Sequence, residues 1–198
     1  MEPVVIAGAG ALGSVYGGVL AAAGVDVVLL AHGRHEEALR EGELEVRLPD
    51  RTRRVRVRAA DGAAGKALIL TSRLFDTEAA LDRVDGAPVL AISLQNGLRK
   101  NESLVRRFGA ESVAPAVSML AAEMLTPGVV ESVGLGKTLV ESGHPGAEEL
   151  VRLLDGAGIP AELVDDGSSA EWSKLAQVAA MMGVQAVTWR FLHELMLS

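Results

Sequence analysis

Near its start the chain reads Val4-Val5-Ile6-Ala7-Gly8-Ala9-Gly10-Ala11-Leu12-Gly13, and no other segment says as much about how it folds. A short, continuously apolar run is typical of a strand buried on both faces. The glycines have GxGxxG spacing, and a helical pattern over Ala11–Ala23 precedes a second apolar run at Val25–Leu30. We therefore predict a strand, a tight turn, a helix and a parallel strand, which together form a βαβ unit.

The glycine loop indicates a dinucleotide site. Gly8 permits the tight turn, Gly10 lets the backbone approach a pyrophosphate, and Gly13 lets helix and strand pack closely. The backbone N–H groups of Ala11 and Leu12 open the helix, whose positive end attracts phosphates. The same spacing also occurs in βα turns that use glycine for packing alone. Its position directly between a strand and a helix favours the dinucleotide site.

The end of the second strand bears on the choice of cofactor. Leu30 is followed by Ala31-His32-Gly33-Arg34-His35, and the first acidic residue is Glu36. NAD enzymes usually place an acid here for the ribose 2′-hydroxyl, whereas the 2′-phosphate of NADP needs a cation. We predict NADP(H), with Arg34 as the phosphate ligand because its guanidinium fits phosphate oxygens, and with His32 beside it. A solvent-facing arginine at a helix start is the alternative.

Strand and helix patterns continue to alternate along the chain, which predicts the α/β class with a Rossmann-type, doubly wound, mostly parallel sheet. The predicted elements are helices at His35–Arg40, Asp76–Val84 and Ala147–Asp155, a hairpin of Leu44–Leu48 with Val55–Arg58 around Pro49-Asp50, and strands at Ala67–Leu70, Val89–Ile92, Gly128–Val133, Thr138–Glu141 and Glu162–Val164. The strands at Gly128–Val133 and Thr138–Glu141 look antiparallel. The Asp165–Ser169 stretch predicts a boundary between a Rossmann domain, 1–167, and the start of an all-α C-terminal domain, 168–198.

Composition excludes several classes of function. A net charge of −7 argues against sequence-independent nucleic-acid binding, which needs a basic surface. The chain has no cysteine, and its histidines fall in no ligand spacing, so we expect no metal site. The uncharged run Val4–Val25 is interrupted by glycines and does not read as a membrane span. The basic cluster Arg51–Arg58 alternates with valine and predicts a solvated edge strand. We expect a cytoplasmic protein.

The last segment predicts a helix from Ala170 to about Leu197, with a break near Gly183. Residues 175–189 carry no charge, and a single helix cannot bury its whole apolar circumference. We therefore expect it to pack against a second subunit, in a homodimer, or against a missing segment. Lys174 stands at the mouth of this apolar run. It is either a partly desolvated proton donor or a surface lysine that extends into water.

Four motifs, in order, resemble the ketopantoate reductases (2-dehydropantoate 2-reductases). They are Gly8–Ser14, Ala31-His32-Gly33-Arg34, Gln95-Asn96-Gly97 and Trp172 with Lys174-Leu175-Ala176. The resemblance implies NADPH-dependent reduction of a 2-keto acid, of the ketopantoate to pantoate type. It implies that Asn96 lies near the nicotinamide ribose and substrate, and that Lys174 is the general acid that protonates the carbonyl oxygen.

The chain also departs from this family. Arg73 stands where the family usually has a cofactor-binding lysine, and His32 where an arginine is common. Val178 and Met182 stand where it has substrate-binding asparagines, and the family's C-terminal helical domain is much longer. Two other interpretations therefore stay open. One is a non-catalytic or truncated NADP(H)-binding homologue. The other is a related dehydrogenase that acts on a different ketone, such as the glycerol-3-phosphate or opine dehydrogenases.

Overall fold

The structure, a computed structural model, describes residues 2–188. Its helices, in chain order, are α1 (Ala11–Ala22), α2 (Gly33–Glu41), α3 (Thr77–Leu81), α4 (Glu102–Phe108), α5 (Ala147–Ala157) and α6 (Gly167–Thr188). Its strands are β1 (Val4–Ala7), β2 (Val27–Leu30), β3 (Leu44–Arg47), β4 (Thr52–Val55), β5 (Arg58–Ala60), β6 (Ala67–Leu70), β7 (Leu90–Ser93), β8 (Val113–Ala114), β9 (Ala116–Ser118), β10 (Ala121–Thr126), β11 (Val129–Gly134), β12 (Thr138–Glu141) and β13 (Ala161–Val164).

The central sheet has the strand order β5-β2-β1-β6-β7-β8, and every neighbouring pair in it is parallel. The order reverses direction between β1 and β6. In open α/β sheets a ligand crevice forms at such a point, beyond the carboxyl ends of the strands. The predicted fold class, with its Rossmann-type parallel sheet, is confirmed.

Strand β1 is buried on both faces, as its apolar run predicts. Val4 and Ile6 join a core that also contains α1 and α5, whereas Val5 and Ala7 join a second core with α3 and α4 on the opposite face. Successive side chains of a strand point to opposite faces, so a strand between two cores has no polar position.

Helix α1 lies between the parallel sheet and a four-stranded sheet of order β10-β11-β3-β4. A third sheet, β13-β12-β9, packs with α5. The buried Tyr16 of α1 donates to Ser118 Oγ at 2.8 Å and accepts from Thr138 Oγ1 at 2.5 Å, which ties the helix to β9 and β12. Burial raises the pKa of the Tyr16 phenol, although these two hydrogen bonds oppose the shift.

The predicted hairpin is correct in its turn and wrong in its register. Leu48 and Arg51 exchange backbone hydrogen bonds around Pro49-Asp50, so β3 pairs with the residues directly after the turn, Arg47 opposite Thr52. The chain then leaves this sheet, and β5 joins the parallel sheet beside β2. Arg54 and Arg58 therefore belong to strands in two different sheets, although each strand is an edge strand, as predicted.

Three further predictions need correction. The strands predicted at Gly128–Val133 and Thr138–Glu141 exist as β11 and β12, but they lie in different sheets, and each has one parallel and one antiparallel neighbour. The helix predicted from Asp76 is a 3₁₀ turn at Leu74–Asp76 followed by the short α3. Helix α6 runs through Gly183 without a break. Its predicted continuation over residues 189–197 lies outside the described residues.

Within residues 2–188, no helix combines the length and apolar character that a membrane crossing requires. In the same range, no group of three or more histidine, aspartate or glutamate side chains is arranged to hold a metal ion.

A buried histidine connects α2 to the glycine-loop helix. Gly128 N–H donates to His35 Nδ1 at 3.0 Å, so the other ring nitrogen, Nε2, carries the proton and donates to Ser14 Oγ at 2.9 Å. The Ser14 hydroxyl in turn donates to the Ala9 carbonyl. Burial lowers the pKa of His35, and the neighbouring His32 lowers it further. The fold therefore needs the neutral imidazole.

We expect this histidine to make stability depend on pH. In the unfolded chain His35 takes up a proton near its ordinary pKa of about 6.5, whereas the folded protein resists it. The free energy of unfolding should therefore fall as the pH is lowered from about 7.5 to about 5.5. His35→Leu should cost about 1–3 kcal/mol at the higher pH, because Gly128 N–H loses its acceptor, and should flatten this dependence. Urea unfolding measures both, with His144→Gln as control. Parallel pH dependences for the native protein and His35→Leu would contradict the assignment.

Candidate active site

A cleft of about 380 Å³ lies at the carboxyl ends of β6 and β7. Its walls come from the start of α1, the loops after β6 and β7, the segment around β9, and α6. The lining residues are Leu12, Thr71, Ser72, Arg73, Leu74, Leu94, Gln95, Asn96, Ser118, Leu120, Ala122 and Lys174. The cleft thus brings together four residues selected from the sequence: Leu12, Arg73, Asn96 and Lys174.

The three glycines of the loop have distinct steric surroundings. Gly8 has φ +104°, and a Cβ there would lie 2.3 Å from Ser72 N. A Cβ on Gly13 would lie 2.4 Å from Gly8 O, which prevents the close packing of helix and strand. Apart from Gly10 itself and its two chain neighbours, no heavy atom of residues 2–188 lies within 4 Å of a Cβ placed on Gly10. Gly8 and Gly13 are thus fixed by the protein itself, while Gly10 borders open space where a ligand can approach.

The first residues of α1 have the backbone arrangement that an anion-binding site requires. Gly10 is its N-cap, no side-chain cap occupies it among the described residues, and Ser14 N–H makes the first helical bond, to Gly10 O at 2.9 Å. The N–H groups of Ala11, Leu12 and Gly13 precede that bond and have no carbonyl partner within the helix. Such N–H groups, with the helix dipole, bind phosphates. The residues present therefore fit a dinucleotide pyrophosphate.

Gln95 holds the two loops of the cleft together. Its buried side-chain Nε2 donates to Ser72 O at 2.9 Å and to Thr77 Oγ1 at 2.8 Å, and its Oε1 accepts from Ser93 Oγ at 3.1 Å. This network fixes the loop after β6, which carries Arg73, against the loop after β7. Asn96 follows Gln95 directly and is exposed at the cleft.

Lys174 is half-buried on α6 and faces the cleft. Burial lowers the pKa of its ammonium, and the positive charge of Lys100 lowers it further. Of the two alternatives open from the sequence, the partly desolvated lysine is the one that the geometry favours.

Arg73 is an exposed cation of the loop after β6 that lines the cleft. Its guanidinium lies 4.7 Å from the centroid of the Phe75 ring, and its Nε donates to Asp76 Oδ2 at 3.2 Å. The neighbouring carboxylate offsets part of its charge, so Arg73 offers an oriented but not an isolated positive group.

His32 and Arg34 are not among the lining residues of the cleft: both are exposed, His32 as the N-cap of α2 and Arg34 in its first turn. They still border the glycine loop, because Ala9 N–H donates to Leu30 O at 3.2 Å and brings the end of β2 beside it. Glu36, the nearest acid in sequence, forms an ion pair with Arg40 at 2.5 Å. Its carboxylate is thereby engaged within α2.

Several cleft residues were not predicted as site residues. Gln95 stands in the Gln95-Asn96-Gly97 motif, but nothing in the sequence shows that its side chain is buried. Ser118 and Leu120 come from β9 and the residues after it, where the sequence has no distinctive pattern. They reach the cleft because β9 follows directly after β8, which pairs with β7 in the central sheet.

A parallel sheet in this strand order, with a glycine loop at the point where the order reverses, defines the Rossmann-type proteins. Residues 4–144 match the family model described as ketopantoate reductase PanE/ApbA. The chain therefore belongs to the ketopantoate reductase family.

Individual relatives agree with this family. The chain is 30% identical over 196 residues to 2-dehydropantoate 2-reductase of Pyrococcus horikoshii, covering 93% of this chain and 63% of the relative. Among solved structures, a ketopantoate reductase of Ralstonia eutropha has 31% identity and a TM-score of 0.79, covering 87% of this chain and 60% of the other. A 2-dehydropantoate 2-reductase of Geobacter metallireducens has 26% identity and a TM-score of 0.85, covering 95% and 66%. The chain thus spans less than two thirds of the length of these relatives.

Proposed function

We propose that the chain takes part in NADPH-dependent reduction of a 2-keto acid, of the ketopantoate to pantoate type. The observation that carries the proposal is the cleft in which Leu12 at the phosphate-binding helix start, Asn96 and Lys174 meet. Residues that would bind the cofactor and the proposed proton donor line the same small volume there. Family membership supports the reaction class.

In this proposal the cofactor and the residues of the cleft have separate roles. A bound nicotinamide would supply the hydride to the carbonyl carbon. Lys174 donates a proton to the carbonyl oxygen, and its ammonium stabilises the negative charge that develops there before the transfer. Asn96 orients the nicotinamide ribose and the substrate through its amide. Burial keeps the pKa of Lys174 below that of a solvated lysine, which makes it a better proton donor.

The direct test follows the loss of NADPH absorbance with ketopantoate and a panel of 2-keto acids. Saturable turnover of at least one keto acid is the expected result. Tight NADPH binding without turnover of any ketone would instead favour a non-catalytic or truncated NADP(H)-binding homologue. Reduction of a bulkier, more apolar keto acid would still indicate a reductase of this family, in keeping with Val178 and Met182 in place of the family's asparagines. Reduction of a different ketone alone would favour a related dehydrogenase.

The cofactor is NADP(H) in this proposal, held by the glycine loop and by Arg34, His32 and Arg73. The engagement of Glu36 with Arg40 supports it, because no free carboxylate follows β2 directly to bind a ribose 2′-hydroxyl.

Arg34→Ala should therefore weaken NADPH binding by about tenfold or more, with little change for NADH, since the lost contact is to the 2′-phosphate. Fluorescence titration with each cofactor measures the two dissociation constants. Arg47→Ala, at an exposed arginine of β3, is the matched control. Equal losses for NADPH and NADH would contradict the assignment of Arg34.

Helix α6 begins the predicted C-terminal domain, 168–198, and the proposed homodimer forms through it. Beyond its first turns the helix exposes Met182, Val184 and Val187, with Val187 82% exposed. No acidic or basic residue lies between 175 and 188. A partner for this surface must therefore be apolar as well, as a second copy of the same surface is. Light scattering at micromolar concentration should give the mass of a dimer, and Val187→Glu should dissociate it. A native monomer would exclude this interface.

A further inference from the structure

A buried ion pair joins two of the walls of the cleft. The side chains of Lys100 and Glu171 are 3% and 7% exposed, and Lys100 Nζ lies 3.3 Å from a Glu171 oxygen. By contrast, the pair Lys137–Glu162 is half exposed on both sides. Taking two charges out of water is costly, so a buried ion pair often adds little net stability, and a role in fixing the positions of its two segments is a hypothesis that such a pair suggests.

The pair connects the segments that carry the two proposed catalytic residues. Lys100 follows Asn96 in the loop after β7, and Glu171 precedes Lys174 by one turn of α6. Asn101 Nδ2 adds a hydrogen bond to Glu171 Oε1 at 3.0 Å. Lys100 Nζ also donates to the Ala116 carbonyl of β9. One ammonium group thus joins three walls of the cleft: the Asn96 loop, β9 and α6.

We propose that Lys100 is a positioning residue of this site, which acts through Glu171 to hold the Lys174 ammonium beside Asn96. The proposal rests on the proposed function in one respect, the role of Lys174 as proton donor. Lys100 itself does not line the cleft. Its effect is transmitted through the position of α6 and through its charge.

The positive charge of Lys100 and burial both lower the pKa of Lys174. Charged groups on the elements that surround Lys174 include Arg73 and Asp76 in the loop after β6, Arg99 and Lys100 in the loop after β7, Glu171 on the same helix, and Glu141 of β12, which accepts from Gly167 N at 2.8 Å. Burial has the larger effect on the pKa of Lys174, and among the surrounding charges it is that of Lys100 that lowers this pKa further. Removing the Lys100 charge should therefore raise the pKa of Lys174.

Lysine titration tests this coupling without any need for turnover. The chain's lysines are Lys66, Lys100, Lys137 and Lys174, so carbon-13 labelling of the lysine ε-carbons gives few NMR signals, and Lys174→Arg assigns that of Lys174. In the native chain the pKa of Lys174 should lie below the ordinary value for lysine. Lys100→Met should move the Lys174 titration upwards, whereas Lys137→Met should leave it unchanged. An unchanged Lys174 titration in Lys100→Met would overturn the proposal.

A second variant guards against misfolding, because Lys100→Met leaves Glu171 buried without its cation. In Lys100→Met/Glu171→Leu both partners become apolar, which usually preserves or raises stability. This variant should fold, and because it removes one positive and one negative charge near Lys174, its readout is kcat and not the Lys174 titration. Its kcat should fall by about tenfold or more, since small displacements of a catalytic group are costly, with NADPH affinity kept. A kcat equal to that of Lys137→Met would contradict the positioning role.

The two proposals fail in different ways. If the lysine titrations are coupled but Lys174→Ala reduces keto acids as fast as the native chain, the proton-donor role fails while the lysine pair stands. If Lys174→Ala abolishes turnover but the Lys100 variants behave like Lys137→Met, the proposed function stands and the role of Lys100 falls.

Discussion

Replacing Lys174 by alanine should reduce kcat for keto-acid reduction by about 10²–10⁴-fold, the range that general acids contribute. The expectation follows from the position of Lys174 at the cleft and from the burial that lowers its pKa. Without the ammonium, water has to protonate the developing alkoxide, and no positive charge stabilises it beforehand. NADPH affinity should remain within about twofold, because the pyrophosphate contacts come from the start of α1.

Initial rates at saturating NADPH measure this effect, and fluorescence titration measures the affinity. Lys137→Ala is the matched control, since it removes a half-exposed lysine with an ordinary carboxylate partner. Its kcat should equal that of the native chain. Lys174→Ala with native kcat would remove this residue from the mechanism, whereas a large loss of NADPH affinity would make it a cofactor ligand instead.

Gly10→Ala should raise the NADPH dissociation constant by about tenfold or more while leaving the fold unchanged. Its backbone angles, φ −78° and ψ −161°, are open to alanine, and beyond the adjacent residues no heavy atom of the described chain lies within 4 Å of the new Cβ. The methyl group therefore points into the space that a pyrophosphate needs. A specific loss of binding without loss of stability is the signature of a glycine that faces a ligand.

Two other substitutions complete this test. Gly13→Ala should lower the free energy of unfolding by about 1–3 kcal/mol, because its Cβ would overlap backbone atoms of the loop. Gly156→Ala, at a helical glycine of α5 with open surroundings, should bind NADPH normally and be slightly more stable. Calorimetry and cofactor titration separate these outcomes. Native NADPH affinity in Gly10→Ala would mean that the loop serves packing alone.

The parts of the fold that the sequence predicts well are those whose signal is local. The apolar run Val4–Ala7 and the glycine spacing describe one strand and one turn, and both follow from the residues that form them. The hairpin register was wrong because Val55–Arg58 alternates like one strand, although the chain changes sheets within it. Which sheet a short strand joins depends on distant partners.

The residues of the candidate site also divide into those with a local sequence signal and those whose role depends on distant segments. Asn96 and Lys174 stand in recognisable motifs, and their meeting at one cleft follows from the fold. Lys100 and Glu171 read as ordinary surface charges, because nothing within either segment shows that both become buried. Their burial arises when α6 packs beside β9, an event between segments far apart in sequence. Sequence patterns describe residues one segment at a time, whereas a buried ion pair is a property of two.

The two halves of α6, within the described residues, differ in how much of their surface is buried. Its first turns are held by the buried Glu171, while the turns around Met182 and Val187 expose their apolar side chains. A helical extension of this kind is marginal in water by itself, since helices draw most of their stability from packing. Amide hydrogen exchange along α6 therefore measures whether the second half of the helix is covered by another surface. Backbone amides of the second half will be protected from exchange to the extent that another surface covers them, while those beside Glu171 report the stability of the cleft itself.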